Sequence, residues 1–170
     1  MAEGDFMKAH DVFVAQAEND ETYAAESLYR AARASLWTGD VEEAKRLMAW
    51  AEQTGTTGLT YTGRVGVIRA GIAGLEDRQS EALGLYRQAL ADLNQAGAVW
   101  DVALAGLDMA QFLDPAEPEV ASAAAASRET MERLRAAPFI QLLDAALNRD
   151  TARKKPAAAK EQAEVSAATS

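Results

Sequence analysis

Small and large apolar residues recur in this chain at fixed spacing, in three copies, each beside a tight polar break. The fullest copy runs from Glu26 to Gln53. It reads Leu28, Ala31, Ala32, then Trp37-Thr38-Gly39-Asp40, then Ala44, Met48 and Ala51. The beat returns as Ala82, Tyr86 and Ala89. An incomplete copy opens the chain as Gly4-Asp5, then Ala9 and Phe13. Recurrence at a few tens of residues marks an array of stacked units, because one unit cannot bury its apolar face alone. Arrays of this kind present long surfaces to partners and rarely carry out chemistry.

The spacing inside each copy is helical. Phe6, Ala9, Phe13 and Ala17 fall on one stripe, which predicts a helix over Phe6 to Glu18 with Asp5 as its N-cap. Asn19-Asp20 breaks it. A second helix is expected over about Glu21 to Leu36, burying Tyr23 or Ala24, Leu28, Ala31, Ala32 and Ser35. Gly39 ends that helix without Cβ strain. Asp40-Val41-Glu42-Glu43 reads as a capping box, in which Asp40 accepts from the Glu43 amide and Glu43 reaches back. The third helix then covers Val41 to Gln53.

A fourth helix, about Thr62 to Leu75, carries Gly63, Gly66, Gly71 and Gly74. Each glycine weakens a helix by roughly 1 kcal/mol against alanine. Four of them imply close neighbours on two sides. Glu76-Asp77-Arg78-Gln79 is the next break, with Ser80 or Asp77 as a cap. The fifth helix spans Gln79 to Gln95, with Ala82, Leu85, Tyr86, Ala89, Leu90 and Leu93 facing inward. The sixth, Val99 to Leu113, is apolar nearly all round and should lie between others. Asp114-Pro115-Ala116-Glu117 reads as a cap, a first-turn proline and a box, starting a seventh helix that runs to about Ala136. Pro118 is the one residue that would move that start. Pro138 introduces a short eighth helix, Phe139 to Asn148, expected to cap the array. Residues 1–149 form the helical domain on this reading. Residues 150–170, with one large apolar side chain (Val165), are expected to be disordered or weakly helical.

Composition narrows the classes. The 170 residues suffice for a core without disulfides, and there is no cysteine. A single histidine, His10, argues against a His-rich metal centre. A net charge of −9 opposes nucleic-acid binding. No window approaches the roughly 20 apolar residues that span a bilayer. The acidic N-terminus does not look like a signal peptide. The expectation is a cytoplasmic protein that binds neither nucleic acid nor membrane.

The repeats resemble tetratricopeptide (TPR) repeats. The likeness rests on Ala32, Gly39-Asp40, Ala44, Met48 and Ala51 in one unit and Ala70, Ala82, Tyr86 and Ala89 in the next. Gly4-Asp5, Ala9 and Phe13 match the second half of an earlier unit, so the array begins mid-repeat or the chain is part of a longer one. The stretch from Asp114-Pro115 to Ala146-Leu147 is similar to the C-terminal ends of large bacterial signalling proteins. There such arrays follow a P-loop ATPase and a cyclase or DNA-binding module. The implied fold is all-α: a right-handed α-α superhelix of antiparallel helix pairs with a C-terminal capping helix. The motifs are degenerate. Leu28 replaces the bulky aromatic of the first helix, and the final proline of each repeat is missing. No ATPase or cyclase motif is present.

Catalytic chemistry finds little support. His10 lacks a nucleophile or metal partner and reads as a surface or groove-edge residue. Glu42-Glu43 and Glu76-Asp77 lie at helix starts, where the macrodipole favours negative charge. The Gly63–Gly74 stretch lacks the Gly-Lys-Ser/Thr ending of a phosphate loop. The chain therefore reads as a non-enzyme without metal or cofactor. Trp50 is assigned to the core; Trp37 and Trp100 fit either core or anchor. In TPR arrays the first helix of each pair lines a concave groove, which here implies Glu26, Tyr29, Arg33, Arg64, Val67 and Trp100. Arginines bind carboxylates bidentately, so the expected partner is a peptide with an acidic side chain or a free C-terminus. The competing reading of these six is a solvated face. A helical self-association (homodimer) module, paired through an exposed apolar stripe on the first helix, is the alternative function.

Overall fold

The computed structural model describes residues 3–148. The expected tail, 150–170, lies outside them. All the described secondary structure is helical, in eight helices with no strand among the described residues. They are α1 (Glu3–Asn19), α2 (Ala24–Thr38), α3 (Val41–Gln53), α4 (Leu59–Leu75), α5 (Gln79–Gln95), α6 (Val99–Phe112), α7 (Pro118–Arg133) and α8 (137–148). Each of the first seven packs on the next. In addition α2 packs on α4, and α4 on α6, whereas among α1, α3, α5 and α7 no Cα atoms come within 8 Å, and only side chains bridge them, His10 of α1 to Glu43 of α3 and Arg87 of α5 to Glu119 of α7. The even helices thus make an inner row.

Four of the turns share one geometry. Gly39, Asp77, Gly97 and Arg135 all have positive φ, at 82°, 61°, 68° and 54°. In each turn the following amide bonds back five residues: Asp40 to Ser35, Arg78 to Ala73, Ala98 to Leu93, and Ala136 to Met131, at 2.8–2.9 Å. This Schellman closure satisfies carbonyls that a helix end would leave open.

The helix boundaries match the sequence reading at α3 and α5 and differ elsewhere for local reasons. The chain is already helical at Glu3, so Asp5 is inside α1 and is not its N-cap. The start of α2 moves to Ala24 because Asp20 Oδ1 accepts from the Thr22 amide and holds residues 21–23 in a turn. Tyr23 is consequently exposed and Ala24 buried. Asp40 does cap α3, accepting from the Glu43 amide at 3.0 Å. Glu43 does not reach back; its carboxylate takes Arg46 and His10 instead. The seventh helix starts at Pro118, not Pro115. Asp114 Oδ1 accepts from the Ala116 amide in a turn. Glu117, as the residue before a proline, is disfavoured in the helical conformation and is extended.

The α4 glycines do admit neighbours on two sides. A Cβ on Gly63 would lie 2.7 Å from Leu93 Cγ, and one on Gly66 2.9 Å from Ala89 Cβ, both on α5. A Cβ on Gly71 would lie 2.8 Å from Leu36 of α2 and 3.3 Å from Phe112 of α6. Small residues therefore set the spacing of α4 against three helices.

Candidate functional site

The inner row leaves a gap between α2 and α6. No Cα atoms of these two helices come within 8 Å, yet their side chains meet. Arg33 of α2 donates from Nε to Asp108 Oδ2 at 3.0 Å, and Trp37 donates from Nε1 to Asp108 Oδ1 at 2.7 Å. Arg64 of α4 makes a fork to Asp101, with Nε 2.9 Å from Oδ1 and Nη2 3.1 Å from Oδ2. Asp101 and Asp108 are seven residues apart, two helical turns, so both face the same way from α6.

Beside these pairs lies a cavity of about 290 Å³ with walls from α1, α2, α4, α6 and α8. Six aromatic side chains share its lining with five charged ones. Trp37 stands edge-on to Phe6, with centroids 5.0 Å apart, and Trp100 edge-on to Phe139 at 5.0 Å. Trp37 and Phe139 join the two pairs at 6.5 Å. Such edge-to-face contacts stabilise beyond the area they bury. Phe13 adds a ring with the Arg30 guanidinium 5.6 Å above it. Ala9 and Ala34 leave the room that larger side chains would fill.

Tyr29 is the buried centre of the polar wall. Two guanidinium carbons approach its ring centroid, Arg33 at 4.8 Å and Arg64 at 5.3 Å. Burial, more than the opposing pull of Arg33, holds its phenol well above the usual value, so it stays protonated and able to donate. Neither the Tyr29 hydroxyl nor Arg33 Nη2 has a hydrogen-bond partner in the protein. Burial likewise pushes the Asp108 carboxyl above its ordinary range, against the pull of Arg33 and the Trp37 N–H.

Of the six groove residues expected from sequence, Tyr29, Arg33, Arg64 and Trp100 line this one cavity. Glu26 does not; its carboxylate pairs with Arg30 and lies 3.9 Å from Arg64 Nη1, on a neighbouring surface. Val67 is 1% exposed and belongs to the core between α4, α5 and α6, so no partner reaches it. The arginines differ from expectation in a further respect. Both already hold a carboxylate of their own chain. Trp37, open in the sequence between core and anchor, lines the cavity, and Phe6, Phe13, Asp101, Asp108 and Phe139 are additions that the sequence reading does not place there. The legible signal among them is the pair of acids two turns apart in an otherwise apolar α6.

His10 lies away from the cavity, on the α3 side of α1. Its Nδ1 is 3.0 Å from Asp11 and its Nε2 3.0 Å from Glu43. Burial alone would lower its pKa, but the two acids outweigh it and raise it above the ordinary value. Trp50 is half-buried against the core of α2 and α3. Among the described residues no cluster of His, Asp and Glu could hold a metal ion, and no helix is long and apolar enough to cross a membrane. No protein-family model, curated protein or solved structure matches the chain.

Proposed function

We propose that this chain is a non-enzymatic binding module, a TPR-like superhelix capped by α8, that takes a protein or peptide partner on the side of its inner helix row. The superhelical reading is supported by the packing order, in which the backbones of α2, α4 and α6 approach in turn while those of the odd helices stand apart. Service as the interaction arm of a bacterial signalling protein is the extension that the sequence resemblance suggests. One observation carries the binding function: a cavity lined by six aromatic side chains and assembled from five helices. Sites for ligands are concave and mostly apolar, with a few placed polar groups, and this cavity has that make-up. The mechanism is seating of an apolar side chain among rings already fixed by their own contacts.

Self-association is the weaker reading. Met7 and Val12 are the large apolar side chains exposed on α1, at 60% and 63%. Five residues apart on a helix, they point in different directions and make no stripe.

Display of a random peptide library against the whole chain tests the module. Selected peptides should lose binding to Ala9→Trp, which fills the cavity, while circular dichroism stays unchanged. Trp100→Ala should weaken them too, whether or not the first variant folds. A library that yields no binders, or binders indifferent to both changes, overturns the proposal.

A further inference from the structure

We propose that His10 is a proton-operated latch on one wall of the cavity: charged, it ties α1 to α3 and keeps that wall in place; neutral, it lets α1 swing away. The wall in question is lightly held. α1 gives the cavity Asp5, Phe6, Ala9 and Phe13. Yet among α1–α7 only α2 packs its backbone against α1. Ala17 is the one buried residue among those described in α1, whereas α2 buries eleven. The other apolar anchors of α1, Phe6, Phe13 and Val14, are half-buried. A helix with so little buried surface opens at lower cost than its neighbours.

His10 supplies a tie to a second helix. Its side chain is 23% exposed and stands between two acids, with Nδ1 3.0 Å from Asp11 of its own helix and Nε2 3.0 Å from Glu43 of α3. An imidazolium has a donor for each. A neutral ring has a single N–H and must aim a lone pair at the other carboxylate. Only the charged ring satisfies both contacts. Arg46 of α3 also bonds Glu43 and holds that carboxyl below its usual range, so Glu43 is ionised where His10 titrates. Glu18 of α1 acts on Arg46 at longer range. The other charges of α2 and α3 are engaged elsewhere: Arg30 with Glu26, Arg33 with Asp108, Lys45 with Glu42 and Glu76, and Glu52 with Arg69. Burial lowers the His10 pKa, but the hydrogen bonds to Asp11 and Glu43 outweigh it and hold it above the ordinary value. The stabilisation is therefore complete below the ordinary histidine pKa and is lost as the pH rises through the raised one.

The latch needs no occupant, so its test is separate from that of the binding module. His10 is the single histidine of the chain, and its ring signals in NMR are unambiguous. In the whole chain they should titrate with a midpoint above about 6.5. The Trp37 indole N–H, edge-on to Phe6, should shift with the same midpoint. Amide exchange in α1, corrected for its intrinsic pH dependence, should be about tenfold faster above the midpoint than below it, as expected for one hydrogen bond to a charged group. Exchange in α5 should show no such step. His10→Gln, a neutral donor, should remove both steps and show the faster α1 exchange throughout. Glu43→Gln should lower the His10 midpoint and carry both steps down with it. A static Trp37 signal, α1 exchange without a step, or a His10 midpoint at or below about 6.5 overturns the proposal. So does a Trp37 step that survives in His10→Gln, since it would belong to Asp108, which accepts from the same indole.

Discussion

The hairpins α2–α3 and α4–α5 reverse the chain with the same turn geometry, built from different residues. The first turn uses Gly39 at φ 82° and then Asp40, whose side chain caps α3. The second places Asp77 at φ 61°, a conformation that costs an ordinary residue energy, and follows it with Arg78, which makes no side-chain cap bond. By local chemistry the second hairpin is the poorer. Its interface is the closer one, since Gly63 and Gly66 bring α4 against Leu93 and Ala89 of α5. Good turn residues hold the first hairpin, and intimate contact holds the second. A helix pair can therefore be secured at its turn or along its length.

The two hairpins also reach α6 differently. Arg33 of α2 meets Asp108 with side chains 7% and 2% exposed; Arg64 of α4 meets Asp101 at 21% and 11%. Removing one partner of a buried pair leaves a charge with no water and no counter-ion. Asp108→Ala should accordingly cost about 3–5 kcal/mol in urea unfolding. Asp101→Ala should cost clearly less, because water reaches Arg64. Equal losses would break the distinction between the two contacts.

Glycines of α4 and α5 sharpen the interface half of the comparison. Gly66→Ala places a methyl 2.9 Å from Ala89 Cβ and should destabilise the chain by about 1–3 kcal/mol, overpacking exceeding the gain in helix propensity. Gly84, across the hairpin on the exposed side of α5, has nothing within 4 Å of an added Cβ. Gly84→Ala should stabilise by about 1 kcal/mol. Thermal unfolding of the two variants must move in opposite directions if contact along the helices is what matters.

The turns provide the smallest effects. Asp40→Ala removes a cap and should lower stability by about 1 kcal/mol. Asp77→Gly relieves the left-handed strain and should raise it by about 0.5 kcal/mol, the relief being offset in part by glycine's entropy when unfolded. Chemical denaturation of both reads the sign. A loss on Asp77→Gly would mean that the aspartate does something in the turn beyond occupying it.

Much of the helical framework was legible because its signals are local. Gly39 and Asp40 announce a stop and a start within two residues, and α3 and α5 have the expected limits. The α4 glycines announced close neighbours, though not which. The reading failed where two local signals compete. Asp114-Pro115 looks like a helix start, but Pro118 disfavours the helical conformation at Glu117 and moves the start. The site was half legible. Tyr29, Arg33, Arg64 and Trp100, expected from the repeat pattern, line one cavity, whereas Val67, expected by the same rule, faces the core.

By itself the sequence determined an all-helical chain, where most helices begin and end, and which residues are small enough for helices to meet. These follow from spacing and capping within a few residues. Only the tertiary structure decided that Arg33 and Arg64 are already partnered, and that Trp37, Trp100 and Phe139 converge with Phe6 on one cavity. The physical reason is distance along the chain. Arg33 and Asp108 are separated by 75 residues, and no local rule of capping or periodicity relates side chains that far apart.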